Sequence, residues 1–396
     1  MLRITLTVLS VILPLLVATN PAMACRWGRE TTLREQYRNA DSSVIVRCVS
    51  EKPADEKTGF GGSTEWKVVR VVHDSPKESV AMKPGDTLML DRFYRGQPGK
   101  EFLLLGRSKN EGFDFTLGGV PLVYSETLLS YIIQSPPSDA IASVQLGYFV
   151  KHLESSDANV AKDAHREFGK IPNADRLAFQ NQLPLDQIRK WLANPQTAPS
   201  HLGLYGLLIG QFGTEADTKL LRDRSLEPVK EFRIGADGLY AGFLMLAGES
   251  GLADLEKTKL ETPGVPFFDT FEMLLALRYV WNHGGERISQ DRLRQSMRMM
   301  LDRPALADLA INDLGRWHDW SVSDRLMELY GSAGYDIPST KRAIVRFYLT
   351  AEATKPKDPK EPLPAHVVSA QKHLKTLREK DAETVQAAEE FFYLNF

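Results

Sequence analysis

The chain has 396 residues, 43% of them hydrophobic and 25% charged, with a formal net charge of -2. That length implies two or three domains with ample apolar material for a core. A charge so near neutrality argues against a nucleic-acid or anionic-membrane binder, and equally against an acidic solvating tail.

Residues 1–24 read MLRITLTVLSVILPLLVATNPAMA. Arg3 precedes an apolar run from Ile4 to Val17, and the segment closes on Ala22-Met23-Ala24, the small-x-small pattern of a cleavage site. The run is shorter than the ~20 residues that cross a bilayer. The expectation is a signal peptide cleaved near Ala24, and a mature protein that is periplasmic, cell-surface or extracellular with no transmembrane segment. Cleavage there makes Cys25 the first mature residue. It can pair with Cys48, as an oxidising compartment permits, carry a lipid anchor, or remain a thiol. The disulfide is the expectation, stabilising by about 3 kcal/mol in the chain-entropy model. The lipid signal is weak because Ala22 stands where leucine is usual.

After Cys25, Thr32 and Glu35 have capping-box spacing for a short helix to about Asn39 that buries Leu33 and Tyr37. Strands are predicted at Val44–Val49, Thr64–Val72, Thr87–Tyr94 and Glu101–Gly106, with further strand material from Phe113 to Val123. Five or so short strands in about 100 residues, parted by Gly, Pro and Asp turns, predict a small closed barrel.

Cys25, Ala40, Asp41, Val44, Trp66, Lys67, Val68, Gly85, Asp86, Phe102, Leu103, Leu104 and Gly106 carry a resemblance over this quarter of the chain. It resembles the N-terminal domain of tissue inhibitors of metalloproteinases and the related netrin-like modules, which are OB-type barrels. In those inhibitors the amine and carbonyl of the first cysteine chelate the protease zinc. The resemblance therefore implies a protein- or zinc-contacting N-terminus at Cys25, Arg26 and Trp27. It departs from the animal inhibitors in lacking their Cys-x-Cys start and in offering Cys48 as the one other cysteine.

Residues 125–138 read as a linker with a short helix ended by Pro136-Pro137, and residues 139–396 as helical nearly throughout. Helices are predicted at Leu185–Ala193, His201–Gln211, Ala236–Ala247, Phe267–His283, Arg292–Leu301, Leu306–Trp317, Ser323–Tyr330 and Ser339–Glu352, with two more over Val367–Leu394. Short Pro- or Gly-bearing joints between them predict an α-solenoid of HEAT type. With Asp163–Phe168 and Asp313–Trp320, this part resembles HEAT-repeat proteins of exported bacterial proteomes, a likeness that implies no activity. The expected fold is thus multidomain β + α, with the signal at 1–24, an OB-type barrel at 25–124, the linker at 125–138 and the helical array at 139–396.

Chemistry is sparse. The histidines are His73, His152, His165, His201, His283, His318, His366 and His373, and none has His-Glu-x-x-His spacing. Asp163, His165 and Glu167 read as a surface helix with ordinary charge pairs. No nucleophile elbow or phosphate loop occurs, so no catalytic residue, metal or cofactor is expected. Asp237 to Gly242 reads as small residues allowing close helix packing. Arg316-Trp317-His318-Asp319-Trp320 offers a recognition cluster, because Trp and Arg dominate binding hot spots, or alternatively an elbow packed before a helix capped by Ser321 and Asp324. The function expected is non-enzymatic protein binding, through the barrel edge and the solenoid surface, with metalloprotease inhibition through Cys25 as its sharper form. The alternative is a hydrolase using His318 and Asp319.

Overall fold

The computed structural model describes residues 31–55, 57, 61–75, 81–109, 112–115, 119–227, 235–356, 358 and 360–393. Residues 1–24 and the cluster Cys25, Arg26 and Trp27 lie outside them. The first element is α1 (Leu33–Asn39), started by the capping box foreseen from its sequence: Thr32 accepts the Glu35 N–H while Glu35 accepts the Thr32 N–H at 2.8 Å.

An antiparallel sheet follows. β1 (Ser42–Lys52) lies between β2 (Ser63–Asp74) and β4 (Phe102–Lys109), and β3 (Thr87–Leu90) continues outward from β2. β5 (Gly112–Phe115) and β6 (Leu122–Val123) both pair with β4. The branched run Val44-Ile45-Val46 is buried on both faces, which explains why it does not alternate with polar residues. Val44 and Val46 turn toward Trp66, Val68, Leu88, Phe102 and Leu104, with the Trp66 and Phe102 rings edge-on at 5.0 Å. Ile45, Leu103 and Leu105 face the other way and join the core of the helices.

The closed barrel expected from the strand count is instead an open sheet. Its edge strands approach, and the Tyr94 and Phe115 rings come to 5.7 Å, but among the described residues no ladder joins β3 to β5. Both edges are four residues long. The outer side of β4 is divided, since β5 takes Gly106–Lys109 and β6 takes Phe102 and Leu103. Neither β3 nor β5 has the length to carry the ladder around.

Among the described residues that follow, the regular elements are helices: α2 (Glu126–Gln134), α3 (Ala142–Phe149), α4 (Ala158–Lys170), α5 (Asn173–Ala178), α6 (Leu185–Ala193), α7 (Pro199–Phe212), α8 (Thr218–Leu226) and α9 (Ala236–Ala247). They continue as α10 (Glu249–Leu255), α11 (Phe267–His283), α12 (Gln290–Met299), α13 (Pro304–Arg316), α14 (Ser323–Leu329), α15 (Pro338–Ala353), α16 (Ala365–Lys380) and α17 (Ala382–Tyr393). In the series α7, α9, α11, α13, α15, α17 each helix packs on the next, while α8, α12, α14 and α16 lie alongside. Among the described residues no helix is long and apolar enough to cross a membrane.

α7 and α9 approach each other closely. A β-carbon on Gly242 would lie 2.0 Å from the Gly206 carbonyl oxygen, and one on Gly210 would lie 2.2 Å from the Gly242 Cα. The backbones touch because neither helix carries a side chain there. The small residues of Asp237 to Gly242 thus serve close packing, as their sequence suggested.

Candidate functional site

Arg316 to Trp320 form the end of α13 and the turn beyond it. The Asp319 N–H donates to the Leu314 carbonyl at 2.9 Å and the His318 N–H to Gly315 at 3.1 Å, the paired bonds of a Schellman cap. That motif places His318 at the position where glycine is usual, and His318 takes a positive φ of 54°. Among the described residues it is the one non-glycine with positive φ. Such a backbone costs about 1–2 kcal/mol for a residue with a β-carbon.

The five side chains of this run go to different places. Trp317 is buried, stacked 4.2 Å from Trp281 with planes 5° apart, and Arg294 lies over Trp281 while donating to the Trp317 carbonyl. Asp319 is also buried, its carboxylate held by the Arg298 guanidinium at 2.6 and 2.9 Å and by the Ser321 hydroxyl at 2.7 Å. Arg316 and His318 are exposed. The His318 ring stacks on half-buried Trp320 at 5.3 Å, and Trp320 stacks in turn on His366 of α16 at 5.2 Å. Burial, followed by the proximity of His318, lowers the His366 pKa. The helix cap expected from Ser321 and Asp324 does not form. α14 starts without a side-chain cap, Ser321 bonds Asp319, and Asp324 reaches His373 at 3.2 Å.

α4 carries two further clusters, and it is not the surface helix read from its sequence. Asp163, His165 and Glu167 are all buried. On the side toward the sheet, the Arg34 guanidinium donates to Glu167 at 2.9 and 2.5 Å and to the Pro136 carbonyl at 3.0 Å. Asp163 accepts from the Leu33 N–H at 2.8 Å and from the Tyr131 hydroxyl at 2.9 Å. Burial pushes the Asp163 carboxyl up to about 7.

On another side of α4, His165 lies against His201 of α7, the rings stacked 3.8 Å apart at 21°. His165 Nε2 is 3.1 Å from the Leu153 carbonyl and 3.1 Å from the Tyr205 hydroxyl. Glu154 accepts from Tyr205 and lies 2.9 Å from His201 Nδ1. Burial first, and then His201, hold the His165 imidazole well below its ordinary 6.5. Trp191 closes the group with its ring 5.3 Å from Tyr205. Residues 154, 165 and 201 are scattered along the chain, so no local spacing reveals them. The legible signals were weaker. His165 shares the apolar stripe Ala161, Ala164, Phe168, and His201 and Tyr205 are one helical turn apart.

A third cluster is buried where α9 meets α11. The Asp237 N–H donates to Glu272 at 3.0 Å, so Glu272 satisfies an amide at the start of α9. Burial, and then the Asp237 charge, raise the Glu272 pKa. Arg176, Gly203, Asp237 and Gly238 line an adjoining cavity of about 10 Å³, on the order of one water molecule.

In the sheet, Cys48 is half-buried on β1, and among the described residues its sulfur is in no disulfide. A β-carbon on Gly96 would lie 2.6 Å from that sulfur, so the Gly96 backbone closes over it. Burial, then Glu51 and Glu65, raise the Cys48 pKa and disfavour the thiolate. Compared with known proteins, the chain matches no family model, no curated protein and no solved structure.

Proposed function

We propose that this chain is an exported, non-enzymatic protein-binding protein. Its contact surfaces are the elbow carrying Arg316, His318 and Trp320, and the exposed edge of the N-terminal sheet. The observation that carries this reading is His318, held in a left-handed cap that glycine would occupy at lower cost and stacked in the open on Trp320. A strained residue with its side chain at the surface points to a use for that side chain. Exposed Arg316 and the half-buried indole add the residue types that dominate binding hot spots.

The ordered stacking from α7 to α17 supports reading the helical part as a HEAT-like solenoid, a scaffold that presents long surfaces to proteins. The netrin-like resemblance adds a sharper form. A freed Cys25 amine and carbonyl would chelate the zinc of a secreted metalloprotease, with Cys48 holding that terminus on β1.

Affinity capture from the exported fraction, followed by titration of the recovered partner, tests the elbow. Arg316→Ala with Trp320→Ala is expected to weaken the partner at least about tenfold, as the loss of two hot-spot side chains does. Unchanged affinity in the folded double variant contradicts the elbow as the contact. For the N-terminus, excess mature protein should dim a gelatin zymogram of secreted metalloproteases, and undiminished bands remove the inhibitory form.

A further inference from the structure

Glu154, His165 and His201 come from three separate places, the turn ahead of α4, α4 itself and the first turn of α7. Their donor atoms all lie within 4.8 Å of one another. We infer that these three side chains form a binding site for one divalent cation of the zinc type, ligated by two imidazoles and a carboxylate. The site is independent of the binding elbow at Trp320, which lies on later helices.

The donor chemistry selects the class of ion. Imidazole nitrogen paired with a carboxylate suits zinc and its borderline neighbours, whereas magnesium and calcium take oxygen ligands. Three protein ligands leave a fourth position of a tetrahedral ion open. That position falls to water or to a group from a partner, because Glu154 lies at the exposed side of the cluster.

The geometry needs a small closure. Ligands at about 2.0–2.2 Å from a tetrahedral ion stand roughly 3.3 Å apart, so the donors must draw in by about 1.5 Å at most. Glu154 and His201 can supply this movement, being exposed and part-buried respectively, while His165 is fixed deep in the core. The two imidazoles now lie nearly parallel, so the His201 ring must turn out of the stack to bring its in-plane lone pair toward that of His165. His201 Nδ1 and the Glu154 carboxylate lie 2.9 Å apart, so two of the ligands are already within hydrogen-bond reach of each other.

The surroundings match the outer support that metal ligands receive. The Leu153 carbonyl orients the His165 ring, and the Tyr205 hydroxyl reaches both His165 and Glu154. Such partners fix ring orientation and strengthen ligation. An ion here ties the turn before α4 to α4 and α7, where the helical series begins, so binding stabilises the folded chain.

The test uses the full mature chain with both cysteines changed to serine, which silences the thiols, after stripping with a chelator. Calorimetric titration with zinc chloride is expected to give one equivalent bound and a higher thermal midpoint, with magnesium and calcium inert. Glu154→Gln and His201→Ala remove surface-side ligands, so they fold, as circular dichroism checks. Each should lower zinc affinity at least about tenfold and abolish the thermal shift. Failure of the parent to bind zinc saturably overturns the site, and so does undiminished affinity in both folded variants.

Discussion

Arg34, just ahead of the sheet, closes a two-nitrogen fork on Glu167, which lies 133 residues further along the chain in α4. Both side chains are almost fully enclosed, at 6% and 1% exposure. The pair joins the first helix of the β part to the helical array through α4, beside the apolar contacts of Ile45, Leu103 and Leu105.

Removing one member of that pair leaves an uncompensated buried charge. Arg34→Ala should cost about 3–5 kcal/mol in chemical denaturation, whereas the double change Arg34→Met with Glu167→Leu should be close to neutral. A loss below about 1 kcal/mol for the single variant would show that water reaches Glu167 and that the fork does not hold the two parts together.

The contact between α7 and α9 leaves no space for a methyl group. Gly242→Ala places its β-carbon 2.0 Å from a backbone oxygen that belongs to the other helix. The helices must separate, and the expected loss is about 1–3 kcal/mol despite the better helix propensity of alanine. A stability equal to the parent, measured by the same denaturation, refutes the close approach.

Glu272 sets a pH dependence. A carboxyl whose folded pKa stands above the ordinary 4.5 binds its proton more tightly in the folded chain. Its contribution is present below about pH 4.5 and is lost as the pH rises through the raised folded value. Glu272→Gln keeps an acceptor for the Asp237 amide and removes the ionisation. Its melting temperature should therefore fall less than that of the parent between about pH 5 and pH 8. Parallel curves for the two proteins would mean that Glu272 does not titrate in this range.

His318→Gly relieves the left-handed backbone and should raise stability by about 1 kcal/mol. The same change deletes the ring stacked on Trp320, so partner affinity should fall while stability rises. A variant that gains stability and binds as before would make His318 an ordinary cap residue.

The helices were legible because their apolar periodicity is long and their joints carry Pro or Gly. Leu185–Ala193, Ala236–Ala247 and Phe267–His283 match the predicted ends at both termini. α8 and α10 carry a weak sequence signal for a physical reason. The first reads TKLLRDRSL, with few apolar positions, and the second carries Gly251 in its interior. Strand positions were readable, but closure was not, since it depends on how β5 and β6 divide the edge of β4. Asp163, His165 and Glu167 are charged or polar residues that a sequence places at the surface, yet all three are buried. Their partners Arg34, Leu33, Tyr131, Tyr205 and His201 are brought in by other elements.

Binding outside the cytoplasm requires that the chain be cleaved ahead of Cys25 and exported. Intact mass of the protein recovered from the exported fraction, with and without reductant, tests this directly. The expected mass is that of residues 25–396, gaining two hydrogens on reduction as a Cys25–Cys48 bridge opens. A mass that still includes residues 1–24 would contradict export by cleavage, and one unchanged by reductant would contradict the bridge.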